Sequence, residues 1–169
     1  EAYLFEMNTL LEQIDELVLG SEKAGSFTDE EVNEIFRIMH TIKGSSAMME
    51  YSSLMTVAHR VEDLFFIIRD KSMEVIPTEL RPELFDLIFQ SIDFFRSELE
   101  KVESNQPLAD NIEGLVSKVE GFTRRIQNRA NGVEESEAAE PAAEAEEVMT
   151  EAASSTEELA DRYATAERP

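Results

Sequence analysis

The sequence predicts an all-α protein, an up-and-down antiparallel helical bundle of four helices plus a fifth, with a disordered acidic C-terminal tail. Apolar residues recur every three to four positions in five separate segments, which is the period of one face of an amphipathic helix. The connections between the segments are short, and short connections favour antiparallel neighbours. No segment shows the period-two alternation of a half-buried strand, so we expect no β-sheet.

The first two helices are marked by their termini. The first is predicted from Tyr3 to Leu19, with Gly20 ending it. The second begins at Thr28, because Thr28 and Glu31 have the spacing of a capping box, in which an N-cap hydroxyl and a glutamate three residues later satisfy each other's backbone amides. At 100° per residue, His40 lies about 120° from the centre of the apolar stripe of this helix, on its shoulder.

Three further helices follow. The third is capped by Ser52 or Ser53 and runs to about Asp70, the fourth starts at Pro77–Thr78, and the fifth spans about 109–129.

Three large apolar residues are not assigned by these stripes: Phe66, Met48 and Met55. They fit either the core or a surface that docks a partner, and we expect most of them in the core.

Composition limits the function. The formal net charge of -22 argues against nucleic acid and anionic membrane surfaces as partners, because both attract basic patches. No apolar run approaches the ~18 residues of a membrane-spanning helix, no secretory signal opens the chain, and there is no cysteine, so we expect no membrane insertion and a cytoplasmic location. The chain begins without methionine, and we expect it to be a piece of a longer protein.

Two regions are predicted. Residues 1–129 contain all five amphipathic segments. Residues 130–169 are rich in alanine and glutamate and poor in large apolar side chains, which predicts a mostly disordered acidic linker.

The most informative residues surround His40. Gly44 lies four residues later inside the same helix, where glycine costs about 1 kcal/mol relative to alanine, and its missing side chain would leave the imidazole uncovered. Lys43 places a cation beside the ring. On the next helix, His59 and Glu62 share a side. A Glu62 carboxylate accepting the Nδ1–H of His40 would leave Nε2 as a nucleophile.

Two motifs carry a resemblance to a known family. The segment HTIKGSSAMM (40–49) resembles the phosphoacceptor segment of the histidine phosphotransfer (HPt) domains at the N-terminus of CheA-type chemotaxis histidine kinases. The segment AHRVEDLFFIIRD (58–70) resembles their second signature, with a histidine and a glutamate three residues apart. The resemblance covers residues 1–129.

The resemblance implies a helical two-component signalling domain and a role for each matching residue. His40 would accept the ATP γ-phosphoryl group and pass it to an aspartate of a CheY- or CheB-type response regulator. Glu62 would orient His40, Lys43 would be the phosphate-side cation, His59 a supporting residue, and Gly44 would give access.

The same resemblance implies an enzyme only as part of a larger histidine autokinase. This stretch has no glycine-rich phosphate-binding loop, so it should hold no cofactor, and ATP and Mg would be used by a kinase domain elsewhere in the parent protein. That kinase domain and the receiver domains are the expected partners.

Two alternatives from other classes stay open. The bundle could be a non-catalytic interaction module whose shoulder histidine does no chemistry. It could also bind a metal through His40, His59 and Glu62, although neither histidine has the preceding glutamate of a Glu-x-x-His di-iron motif and Lys43 and Arg60 would repel a cation.

Overall fold

A computed structural model of the chain describes residues 1–132, and the predicted linker lies outside the described residues from position 133 onward. Within residues 1–132 the regular structure is entirely helical. Two short 3₁₀ turns, Met73–Val75 and Thr78–Leu80, lie between the third and fourth helices. The five helices are α1 (Ala2–Ala24), α2 (Asp29–Met48), α3 (Ser52–Lys71), α4 (Arg81–Glu103) and α5 (Glu113–Ala130).

The first four helices form a bundle in which each packs against the next and α4 packs back against α1. Tyr3 at the start of α1 shares a 2.8 Å hydrogen bond with Ser46 near the end of α2, and Ser53 at the start of α3 bonds Glu98 near the end of α4, so these pairs run antiparallel. The fifth helix packs against α3 and α4. The predicted four-plus-one bundle is confirmed.

The core lies between all five helices and is built from the predicted apolar stripes. Its largest fully buried side chains include Phe65 of α3, Phe95 of α4 and Phe122 of α5. The phenylalanine-rich interior holds α5 against the bundle, since a buried aromatic side chain contributes roughly 1.5–3 kcal/mol relative to an exposed one. No described helix has the length and apolar character needed to cross a membrane.

Helix α1 is longer than predicted. Gly20 does not end it, because α1 continues to Ala24 and is capped by Gly25. Gly25 adopts a left-handed φ of 78°, and its amide donates to the carbonyl of Glu22, the usual geometry of a glycine that ends a helix. Glycine inside a helix is unfavourable but tolerated, so Gly20 alone is a weaker stop signal than the prediction assumed.

The start of α2 matches the sequence prediction. The Thr28 hydroxyl accepts from the Glu31 amide at 3.2 Å, and the Glu31 carboxylate accepts from the Thr28 amide at 2.8 Å. Glu31 also accepts a hydrogen bond from the Ser21 hydroxyl of α1. Burial alone would raise the pKa of Glu31, but the hydrogen bonds from Ser21 and Thr28 outweigh it and hold the pKa below its usual range. One carboxylate therefore fixes both the start of α2 and its angle to α1.

The remaining boundaries differ in detail. Helix α3 starts at Ser52, with Tyr51 as the residue before it and no side-chain cap. Helix α4 begins at Arg81, after the 3₁₀ turn that occupies the predicted start, and keeps Pro82 in its first turn. Helix α5 begins at Glu113 rather than near position 109, since the segment before it is bound to α4 in a non-helical conformation.

The three unassigned apolar residues are not core residues. Phe66 is 53% exposed, and Met48 and Met55 are only partly buried. The expectation that most of them lie in the core was wrong, because none of the three belongs to the cluster of buried apolar side chains.

A buried carboxylate fastens the loop between α4 and α5. Glu98 is 1% exposed, and it accepts hydrogen bonds from the Ser53 hydroxyl at 2.7 Å, the Lys101 ammonium at 2.8 Å and the Ala109 amide at 3.0 Å. Burial raises the pKa of a carboxyl group, but here the bonds from Lys101, Ser53 and Ala109 outweigh burial and hold the pKa of Glu98 below its ordinary value.

We expect Glu98 to stabilise the fold only while it is ionised. Its contribution should be complete above the unfolded-state pKa of about 4.3 and be lost as the pH falls through that value and then the lower folded-state pKa. Glu98→Gln should lower the free energy of unfolding at pH 7 by about 1–3 kcal/mol. It should also flatten the decline in stability at acid pH. Urea unfolding over a pH series measures both effects.

Glu100→Gln is the matched control, because Glu100 is an exposed acid on the same helix and should change neither quantity. A Glu98→Gln variant with the unmodified chain's stability and acid slope would show that the loop does not depend on this carboxylate.

Candidate functional site

The site lies at the α2–α3 contact. Because the two helices are antiparallel, the C-terminal half of α2 faces the middle of α3, and residues 40 and 43 lie opposite residue 62. Glu62 is at the centre: its Oε2 atom is 3.3 Å from Nδ1 of His40, and its Oε1 atom is 3.0 Å from Nζ of Lys43. The structure thus brings together three of the residues predicted from the sequence.

The His40 side chain lies at the surface of the bundle. It is 51% exposed, whereas the Glu62 side chain that faces its Nδ1 edge is 12% exposed. Within residues 1–132, Oε2 of Glu62 is buried and has no hydrogen-bond partner of regular geometry. Its 3.3 Å contact with Nδ1 of His40 can therefore shorten to a regular hydrogen bond. A carboxylate beside Nδ1 favours the tautomer with the proton on Nδ1 and leaves the Nε2 lone pair free.

Lys43 has a different environment from that of a surface cation. Its side chain is 8% exposed, and its ammonium is hydrogen-bonded to Glu62. Removal of one partner from a largely buried pair leaves the other charge uncompensated, which costs more than loss of a surface ion pair. Lys43 therefore supports the carboxylate that faces His40, in addition to any role as the predicted phosphate-side cation.

His59 is placed beside the site but pairs elsewhere. It is 8% exposed, and its Nε2 atom is 3.5 Å from the Asp63 carboxylate. Burial lowers the pKa of His59, and the nearby positive charges of Lys43 and Arg60 add to this effect, so the neutral form is favoured at neutral pH. Burial also raises the pKa of Asp63, against the opposing influence of His59 and Arg60.

Helix α5 reaches this charged group through Arg60. The Arg60 guanidinium lies 3.0 Å from Asp63 and 3.0 Å from Glu120 of α5. Helix α3 thus carries charged contacts to both neighbours: Glu62 contacts α2, and Arg60 contacts α5.

Gly44 lies one turn after His40, within α2, and is buried together with Ser45 and Ser46. The hydroxyl of Ser46 bonds Tyr3 of α1, so these small residues let α2 lie close to its neighbours. That Gly44 leaves the imidazole accessible stays a prediction.

Sequence reasoning missed an aromatic neighbour of the histidine. The Phe36 ring lies 6.4 Å from the His40 ring at an interplanar angle of 18°. The other residues at the site that were not predicted are Arg69, whose guanidinium lies 4.3 Å from the centre of the Phe36 ring, and Asp63 and Glu120. The four-residue spacing of Phe36 and His40 is a signal that could have identified the first of these.

The metal alternative has no ligand set in residues 1–132, because no three histidine, aspartate or glutamate side chains there are grouped as a metal ion requires. His59 and Glu62 project toward different partners, Asp63 and the His40–Lys43 pair.

Comparison with known families identifies the class. The model of the Hpt domain family matches residues 1–120. The chain belongs to the Hpt domain family, and the prediction of a histidine phosphotransfer domain is confirmed at that level.

Several curated relatives are chemotaxis proteins. The chain is 31% identical over 115 residues to the chemotaxis protein CheA of Treponema pallidum, which covers 68% of the chain and 13% of that protein. It is 33% identical over 94 residues to CheA of Borreliella burgdorferi, covering 56% of the chain and 10% of that protein. The chain therefore spans about an eighth of the first of these relatives.

A solved structure has the same fold. The phosphorylated P1 domain of CheA3 from R. sphaeroides, solved in complex with CheY6, superposes with a TM-score of 0.64 and 24% sequence identity. The match covers 74% of this chain and 94% of that one.

We expect the Glu62 contact to matter for phosphorylation and, through Lys43, for stability. Glu62→Ala should still fold, but with a lower free energy of unfolding, because the largely buried Lys43 ammonium loses its partner. It should slow phosphorylation of His40 by about 10–100-fold, by analogy with the loss of a partner that orients a metal-binding histidine. Phosphorylation time courses with a CheA-type kinase domain, alongside circular dichroism, measure the two effects.

Glu16→Ala on the exposed face of α1 is the matched control and should change neither. Unchanged phosphorylation kinetics in Glu62→Ala would mean that the contact with His40 has no functional role.

Proposed function

We propose that this chain is the phosphoacceptor domain of a CheA-type histidine autokinase and that His40 relays a phosphoryl group from ATP to a response regulator. One observation carries the proposal: a half-exposed imidazole whose Nδ1 edge faces a largely buried carboxylate. The family membership and the CheA relatives support it.

In the first step Nε2 of His40 attacks the γ-phosphorus of ATP. The N–P bond forms, the bond from phosphorus to the bridging oxygen breaks, and ADP leaves with that electron pair. Positive charge develops on the imidazole because Nδ1 keeps its proton. Glu62 stabilises that charge and prevents the ring from turning its other nitrogen outward.

In the second step an aspartate carboxylate of a receiver domain attacks the same phosphorus. The N–P bond breaks, and its electron pair returns to Nε2, so that the ring leaves as neutral imidazole with the proton still on Nδ1. The same Glu62 contact thus serves both steps. Because it keeps the proton on Nδ1, Nε2 can leave with its electron pair and no separate proton transfer is needed.

Lys43 and His59 act around this centre. Lys43 holds Glu62 in position and, when the phosphoryl group arrives, can share its charge between that carboxylate and the phosphate oxygens. Burial holds the pKa of His59 below its ordinary value, which limits competing positive charge near Glu62. Gly44 keeps the approach to the imidazole free of a side chain.

ATP and Mg²⁺ belong to the kinase domain of the parent protein in this proposal. The autokinase activity therefore needs that domain, and this chain is its substrate. CheY- or CheB-type receiver domains are the acceptors. The proposal includes a cytoplasmic location, where ATP is available to the kinase domain.

We expect His40 to be the sole phosphorylated residue. Incubation of the chain with ATP and a CheA-type kinase domain should give an acid-labile, base-stable phosphate on His40, located by mass spectrometry. His40→Gln should fold normally and take up no phosphate, since the half-exposed side chain contributes little to the core.

Phe5→Ala is a control at another exposed position and should be labelled like the unmodified chain. Full labelling of His40→Gln, or an unlabelled unmodified chain beside an active kinase domain, would leave the non-catalytic interaction module as the better account.

A further inference from the structure

An exposed aromatic and cationic surface continues from His40 along the α2–α3 pair. It consists of Phe36, Phe66 and Arg69, which we term the Phe66 strip. Phe36 is partly buried, and its ring centre lies 6.3 Å from that of Phe66, which is 53% exposed. The Arg69 guanidinium lies 4.3 Å from the Phe36 ring centre. The strip therefore begins at Phe36, whose ring lies beside the His40 imidazole.

Within the strip, Phe36 packs against the core but Phe66 does not. Phe66 is on the outer flank of α3, and the two residues before it, Phe65 and Leu64, supply the buried side chains of this turn. Burying exposed aromatic surface is favourable, so the exposure of Phe66 near the reacting histidine leaves apolar surface available for a partner.

The charge of the strip is opposite to that of the chain. The chain carries a formal net charge of -22. Arg69 takes part in none of the ion pairs within residues 1–132, and Arg37, one turn before His40, is likewise exposed and unpaired there. An exposed aromatic residue flanked by arginine is the composition typical of interface hot spots. The charge complement is a partner that presents carboxylates.

We propose that the Phe66 strip docks the response-regulator receiver domain, with Phe66 as the apolar anchor and Arg69 as the contact to carboxylates that the receiver presents. The inference rests on the proposed function and adds the specificity-determining residues of its second step. Carboxylates must approach a phosphohistidine that is itself negative, and Arg69 offsets that repulsion at the point of approach.

The test separates docking from chemistry. The full chain is phosphorylated on His40 with phosphoramidate, a small donor that needs no docking surface. It is then mixed with increasing concentrations of a purified CheY-type receiver domain that accepts phosphate from the unmodified chain. Phe66→Ala and Arg69→Ala are compared with two controls, Phe5→Ala on α1 and Arg124→Ala on α5, which remove the same side chains from exposed positions elsewhere.

We expect each strip variant to raise the receiver concentration at half-maximal transfer by about tenfold, as loss of a moderate hot spot does. The maximal transfer rate and labelling by phosphoramidate should stay within about twofold, and the controls should match the unmodified chain. In Arg69→Ala the dependence of transfer on salt should also weaken. Phe36 is not varied, because its ring lies next to the His40 ring.

Three results would overturn the inference. Unchanged half-saturation in both variants would show that the receiver does not use the strip. Slower labelling by the ATP-bearing kinase domain with normal transfer to the receiver would assign the strip to the kinase domain. Slower labelling by phosphoramidate would show that the strip supports His40 itself. Failure of the proposed function is a separate result, seen when the kinase domain does not label His40 in the unmodified chain.

Discussion

The Glu62 carboxylate is the point on which the site depends. It is largely buried on α3. One of its oxygens accepts a hydrogen bond from the Lys43 ammonium, and the other faces Nδ1 of His40. A buried, ionised carboxylate without partners is unfavourable, so the Lys43 ammonium is needed to compensate the charge of Glu62 in this position. The lysine stabilises the carboxylate, the carboxylate orients the imidazole, and the imidazole is left half exposed with its second nitrogen available.

The bundle provides the geometry for this chain of contacts. Antiparallel packing of α2 on α3 sets His40 and Lys43 opposite Glu62, and the capping box at Thr28 together with the Ser21–Glu31 contact fixes where α2 begins. A helix rotated by one residue would turn each side chain by 100° and separate the three groups. The packing of α2 on α3 thus positions the three side chains. The ion pair between Arg60 and Glu120 connects α3 to α5 in turn.

The sequence was sufficient for the architecture and the identity of the central residues, and the reason is periodicity. Apolar spacing of three and four residues predicted five helices and their inward faces, and the capping box predicted the start of α2. The spacing of residues 40, 43, 59 and 62 on two consecutive helices predicted which side chains could meet.

Other features depended on tertiary contacts. The burial of Lys43 and of His59 follows from how closely α3 lies against its neighbours, which no single helix encodes. The contact of His59 with Asp63, by contrast, spans one turn of α3 and has the four-residue spacing of a local pair. Gly20 read as a helix end, although the left-handed conformation at Gly25 ends α1. Phe66 could not be assigned to the core or to a docking surface, because its apolar character says nothing about which side of α3 it occupies. The start of α5 depended on Glu98, eleven residues before the amide that it binds at Ala109.

The most direct test of the account is the tautomer of the His40 ring. Two-dimensional ¹H–¹⁵N correlation through the ring protons of the ¹⁵N-labelled chain, above the pH at which the ring is protonated, distinguishes a protonated nitrogen from one with a free lone pair. The account predicts that Nδ1 of His40 carries the proton and Nε2 is unprotonated, against the preference of a free imidazole side chain. A ring with the proton mainly on Nε2 would contradict the claim that Glu62 prepares His40 for phosphoryl transfer.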